Sequence, residues 1–382
     1  FDYSYDSRGR RISMSTLDGA WTYSYDDIGQ LTHAVFASTN PDIPHQDLLY
    51  VYDAMGNRIH TVENGVTTAY TTNNLNQYTK VGDTTYAFDA DGNLVSETSP
   101  SGTVLYSYDD ENRLIAVQQG ANAWAYTYDA FSQRVAASHN SVTTNFTIDP
   151  FGLGNVVAEY DGAGDRTTGF DFGYGLLARI EGGTSVWYTF DAVGNTASLT
   201  SVAQDVLDRF TYSPFGDLIY RSGMDLSGRE FGGEWGVIAL GSDRFQMRAR
   251  SYDATIGRFT QPDPSTISKE PNTYTYSANS PTYFVDPEGT DWRMKATKRL
   301  FMNPSNIAKL PYNVVRNVWT NPYVKAVMWG YNIGVVIGNI TYDAVNPEDQ
   351  EPWTSPFNLP LPVSARVLQV IFHPESPIPP ID

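Results

Sequence analysis

Tyr126-Thr127-Tyr128-Asp129-Ala130-Phe131-Ser132-Gln133-Arg134-Val135 is the stretch whose reading decides the fold. Its two tyrosines alternate with threonine, so they share one face of an extended strand, where aromatic residues are favoured. Asp129 ends that strand, because its carboxylate can accept hydrogen bonds from the backbone amides of a turn. Arg134 and Val135 open a second strand that returns antiparallel, and the unit is a β-hairpin. The signature recurs at Tyr3 to Asp6, Tyr23 to Asp26, Tyr50 to Asp53, Tyr86 to Asp89 (with Phe88 as the second aromatic) and Tyr106 to Asp109. Weaker copies follow at Thr147 to Asp149, Tyr188 to Asp191 and Thr211 to Ser213. In the cleaner copies Gly29, Gly56, Gly92 and Gly194 supply positive φ at no steric cost.

A period of about twenty residues is too short for propeller blades, which repeat at roughly 40. Hairpins of this length pair laterally into one long sheet. The chain of 382 residues is ample for one large β domain and a small second one. With 26 Tyr and 31 Gly, and little helical periodicity before about residue 290, it reads as mainly β. It begins inside a repeat at Phe1, without Met or signal peptide, as expected of the C-terminal portion of something longer. The absence of Cys excludes thiol nucleophiles, disulfides and Cys-based zinc sites.

Residues 1–290 carry 17 Lys+Arg against 36 Asp+Glu, a net of −19, whereas residues 291–382 carry 8 against 7, a net of +1. So acidic a first part argues against nucleic acid as its partner. The break near residue 290 marks the domain boundary.

The repeats resemble the YD repeats of RHS proteins. The segment Gly257-Arg258-Phe259-Thr260-Gln261-Pro262-Asp263-Pro264, with Asn272 to Tyr276, Asn279 to Pro281 and Asp286 to Gly289, is similar to the RHS repeat-associated core. Arg248 to Asp253, Asp149 to Gly152, Gly154 to Val157 and Ser213 to Gly216 fit the same pattern. Relatives of this kind include polymorphic bacterial toxins, wall-associated proteins, the C components of insect toxin complexes and animal teneurins. The resemblance implies tandem hairpins forming a spiralling sheet, here a partial cocoon-like shell. The core closes it, and a small, mostly α C-terminal region follows. The expected divisions are a β shell at 1–235, the core at 236–290 and a variable effector region at 291–382.

In relatives that cut themselves, two Asp-Pro motifs supply an aspartyl-protease-like pair that releases the C-terminal domain. Their pattern is Asp-Pro-x-Gly-Leu, eighteen residues, then the same five again. Here Asp263-Pro264-Ser265-Thr266-Ile267 and Asp286-Pro287-Glu288-Gly289-Thr290 enclose residues 268–285, the same eighteen. The resemblance makes Asp263 and Asp286 the catalytic pair, Arg258 the nearby cation and Thr290–Asp291 the bond that is cut. The chemistry needs two carboxylates sharing one proton, one activating water and the other protonating the departing group. Thr266 replaces the usual Gly and Thr290 the usual Leu. The alternative is that both Asp-Pro pairs only start turns.

Other motifs are weaker. Gly173-Tyr174-Gly175-Leu176-Leu177-Ala178 fits a loose dinucleotide fingerprint, but it lies among hairpins. Asp89-Ala90-Asp91-Gly92-Asn93 alternates oxygen ligands as a calcium loop does, yet Asp-Gly is an ordinary hairpin turn. The five His residues (33, 45, 60, 139 and 373) lack ligand spacing, and no Gly-x-Ser-x-Gly elbow occurs. No metal and no cofactor is expected. In the tail, Arg293 to Arg299 is a short basic run that suits a helix face. Pro311 to Trp319 and Tyr323 to Ile340 read as helices, the second with Gly330, Gly334 and Gly338 at spacing four. Its fifteen mostly apolar residues from Ala326 fall short of the roughly twenty that span a bilayer. Pro352 to Pro380 reads as extended.

Three functions are open at this point. The first is a secreted or cell-surface bacterial toxin shell that holds its own C-terminal domain, cleaves itself, and has an immunity protein and a secretion apparatus as partners. The second is an adhesive scaffold that binds cell surface or carbohydrate without catalysis. The third is a membrane-inserting tail.

Overall fold

In the computed structural model, which describes residues 1–150, 153–224, 228–241, 244–265 and 271–290, the chain is almost entirely β. The expected tail helices, the basic run and the Pro-rich end lie outside the described residues, as do Thr266 and Asp291. The 22 strands from Asp2–Tyr5 to Leu218–Arg221 form one sheet. Every strand in it pairs antiparallel with the next in sequence. This is the meander that tandem hairpins dictate.

The two rims of the sheet carry different turns. One rim has tight turns such as Asn64-Gly65 between Arg58–Glu63 and Val66–Thr72. Both residues have positive φ (53° and 83°), the sense that suits the twist of paired strands. The other rim carries the Asp loops. At Asp129 the carboxylate accepts the amides of Phe131 and Gln133 at 2.9 Å each, as the residue types require. Ser132 takes the left-handed position at φ 60°, where other copies use Gly. The residue four places on closes the loop from outside; Asn57 Nδ2 donates to Asp53 Oδ2 at 2.8 Å. Three further loops escape the Tyr-Asp signature. Asn73 accepts from Leu75 and Gln77, Ser201 accepts from Ala203 and Asp205, and Asp161 stands without a tyrosine three places before it.

Just before each Asp the ladder slips by one residue. Thr127 faces Ala136, but Tyr128 faces Arg134. At that position the tyrosine hydroxyl reaches across to a carbonyl of the preceding repeat. Tyr52 donates to Leu31, Tyr108 to Leu94 and Tyr128 to Leu114, at 2.9, 3.0 and 2.8 Å. The ring is half-buried and its polar end is satisfied, which explains tyrosine in place of phenylalanine.

The sheet winds back on itself. The Ala192 amide donates to the Tyr3 hydroxyl at 3.0 Å, Arg209 pairs with Asp18, and the rings of Tyr50 and Phe215 lie 5.0 Å apart. Among the described residues no backbone ladder joins the first strand to the last, so the wall is a spiral and not a closed barrel. The described residues between 228 and 290 include a separate four-stranded sheet (Ile238–Gly241, Arg244–Met247, Arg250–Asp253 and Arg258–Phe259) with two short 3-10 turns. Its own core of Phe231, Phe245, Met247, Tyr252, Phe259 and Tyr276 is continuous.

Candidate functional site

The four-stranded segment lies along the Asp-loop rim and is stitched to one loop after another. Asn279 Nδ2 donates to Gln30 and to the Gly56 carbonyl, and Asn272 Nδ2 donates to Asn57 and to the Met55 carbonyl. The Tyr274 hydroxyl takes a hydrogen bond from Gln77 and gives one to the Gly92 carbonyl. Gln261 reaches Asn112, Gln246 meets Arg134, and the Gly232 amide donates to Asn195. Amide side chains recur at the fourth place after the loop Asp or Asn in Gln30, Asn57, Gln77, Asn93, Gln133 and Asn195, and several of them meet the segment. That recurrence was the signal in the sequence for this interface, and sequence reasoning missed it.

Asp263 and Asp286 meet on one guanidinium. Arg250 Nη2 stands 3.3 Å from Asp286 Oδ2 and 3.7 Å from Asp263 Oδ2. Arg250 and Asp286 are almost fully buried and Asp263 nearly so. The expected cation, Arg258, is elsewhere. Its guanidinium donates to Asn57 Oδ1 and the Asn76 carbonyl at 2.7 and 2.6 Å and covers the Tyr78 ring. Arg250 occupies the place that Arg258 was expected to fill, because the strand Arg250–Asp253 lies against the turn at Asp286 while Arg258 faces the wall.

Arg250 is further held by the Thr273 carbonyl at 2.8 Å, by the Gly289 carbonyl and by the Phe259 ring beneath it at 3.5 Å. Burial lowers its pKa below the ordinary arginine value, and the two carboxylates oppose that only in part. Asp263 Oδ1 accepts the Ser265 amide at 2.8 Å, and Asp286 Oδ1 accepts the Thr290 amide at 3.2 Å. Both Asp-Pro motifs therefore do start turns, and they also converge. Gly289 sits at φ 67°, where a Cβ would come within 2.5 Å of the Met247 carbonyl.

The remaining motifs are turns. Asp89 spends its oxygens on the amides of Asp91 and Asn93 and on the Asn93 side chain. Gly173 and Gly175 form the tight turn before Leu176–Glu181.

The Teneurin YD-shell family model matches residues 2–282, most of the chain and nearly all of its described part. The chain belongs to the Teneurin YD-shell family. The tRNA3(Ser)-specific nuclease WapA of Bacillus spizizenii is 28% identical over 266 residues, covering 64% of this chain and 11% of WapA. Salivary gland surface protein 1 of Aedes aegypti is 34% identical over 92 residues, 22% of this chain and 2% of that protein. The crystal structure of TcdB2-TccC3 aligns with 75% of this chain and 19% of its own chain, at 16% identity and a TM-score of 0.40. The chain thus spans only a small part of the relatives it matches.

Proposed function

We propose that this chain is the closing end of an RHS-type toxin shell that cuts itself between Thr290 and Asp291. The shell comprises residues 1–235, the core 236–290 and the released region 291–382. The single observation that carries the reading is the meeting of Asp263 and Asp286 on Arg250, beside a chain already hydrogen-bonded up to Thr290.

Charge accounts for the division of labour. Two carboxylates against one guanidinium leave a net negative charge, which burial disfavours, and one bound proton makes the cluster neutral. One aspartate is then an acid and the other a base. The base takes a proton from water as the water oxygen bonds to the Thr290 carbonyl carbon. When the carbon–nitrogen bond breaks, the acid gives its proton to the Asp291 nitrogen. The products are a Thr290 carboxyl group and a free Asp291 amine, with one water consumed. Arg250 keeps the pair together and, through Gly289, holds the chain that enters it.

The rest of the reading is a secreted or surface-borne bacterial protein whose partners are its own C-terminal region, an immunity protein and a secretion apparatus. The competing reading is an adhesive scaffold, and what favours it is that Arg244 is likewise held between two acids, Glu97 and Asp253, with no reaction in view. Expressing the chain and weighing its products separates the two. Self-cleavage gives a fragment beginning at Asp291, and Asp263→Asn and Asp286→Asn each stay whole. A folded wild-type chain that remains uncut would leave the scaffold alone.

A further inference from the structure

Arg248 lies two residues before the arginine of the carboxylate pair, and its surroundings are unusual. Its backbone adopts the left-handed conformation at φ 47°, which a non-glycine residue holds only when its environment demands it. Its guanidinium is shared by four oxygens from three separate stretches of chain. Nε donates to the Leu153 carbonyl, and Nη2 donates to Asn155 Oδ1 at 2.7 Å and to the Trp235 carbonyl at 2.6 Å. Nη1 donates to the Pro287 carbonyl at 2.6 Å. All four oxygens are neutral, and burial lowers the guanidinium pKa to about 10.

The Pro287 contact is the first of a series. Arg248 holds the Pro287 carbonyl, the Ala249 amide holds the Glu288 carbonyl at 3.1 Å, and Arg250 Nε holds the Gly289 carbonyl. Three successive residues grip three successive carbonyls, in step, immediately ahead of Thr290. The Ala249 grip is a backbone amide, and Arg250 is anchored within the closing segment by the Thr273 carbonyl and the two acids. Arg248 is different, because its other donors are committed to the wall loop at 153–155 and to Trp235, which fixes where its Nη1 points.

We propose that Arg248 is a positioning residue that sets which peptide bond enters the Asp263–Asp286 pair and ties cleavage to the seating of the wall loop at 153–155. This rests on the self-cleavage reading. A slip of one residue along the grip would present Gly289–Thr290 or Asp291–Trp292 in place of Thr290–Asp291. The wall loop is some 95 residues away in sequence, so the grip forms only when the wall and its closing segment have come together. Cleavage would then follow assembly of the shell and not precede it.

The test uses the full chain and follows the fragment masses over time. Arg248→Gly keeps the left-handed backbone and removes only the fork. It should slow cleavage by about a hundredfold, the scale of a one-ångström misplacement, and scatter the cut over neighbouring bonds. Added methylguanidinium, below denaturing concentrations, should restore the rate and the single cut, which a purely structural role would not allow. Arg248→Gly cutting at the wild-type rate and bond would overturn the proposal. Should that variant fail to fold, Asn155→Leu decides: slower or scattered cleavage in a folded shell supports the role, and unchanged cleavage refutes it. Asp286→Asn runs alongside. If it still cuts, or the wild type does not, the self-cleavage reading fails; if both behave as expected and the Arg248 series does not, only the positioning role is lost.

Discussion

Arg244 and Arg250 are six residues apart, and each stands between two carboxylates. Arg244 joins Glu97 of the wall to Asp253 of the closing segment, over the Tyr106 ring. Arg250 joins Asp263 to Asp286, both within the closing segment, over the Phe259 ring. Burial works against both guanidinium charges, but the acids win at Arg244, whose pKa is raised, and lose at Arg250, whose pKa is lowered. At the second cluster burial outweighs the two acids. The rest of the difference lies in the surroundings. Around Arg244 the neighbours are strands; around Arg250 a turn delivers the Thr290 amide. The same three charges are a clip in one place and candidate chemistry in the other.

Breaking the clip should have the largest effect on stability. Arg244→Met leaves the buried Asp253 and the half-buried Glu97 without a counter-charge, and about 3–5 kcal/mol should be lost in denaturant unfolding. A loss under about 1 kcal/mol would mean the clip is idle. Two glycines then separate the rim under the segment from the free rim. Gly65 faces open space at φ 83°, and Gly65→Ala should cost the about 1–2 kcal/mol of a left-handed alanine. At Gly92 (φ 88°) an added Cβ would lie 2.6 Å from the Tyr274 hydroxyl, itself tied to Gln77 and to the Gly92 carbonyl. Gly92→Ala should therefore cost clearly more than Gly65→Ala, and equal losses would show that the segment does not bear on this loop. The smallest change is within the wall. Tyr52→Phe removes one hydrogen bond to Leu31 and should lower stability by about 0.5–1.5 kcal/mol, leaving the closing segment seated in hydrogen exchange.

What could be read from the sequence follows the range of the interactions. The loop at Asp129 is made by residues two and four places away, so residue types alone foretold its hydrogen bonds. The loops at Asn73 and Ser201 use the same geometry with a different acceptor and went unrecognised for that reason. The choice between Arg250 and Arg258 had no local signature. Arg258 finds its partner Asn57 across 201 residues, and Arg250 finds Asp286 across 36. Only the folded path says which of two neighbouring arginines turns toward the acids. Spacing brought Asp263 and Asp286 under notice, and topology supplied their partner.

Because every strand of the wall makes its backbone ladder only with its neighbours in the chain, tension applied at the ends would peel it like a zip, one hairpin at a time. Each repeat of about twenty residues would add roughly 65–70 Å of contour length, giving a sawtooth of near-equal teeth. The segment from Gly228 to Thr290 runs across those teeth as a seam, so unravelling would stall until it tore free, and a single force peak would stand above the rest.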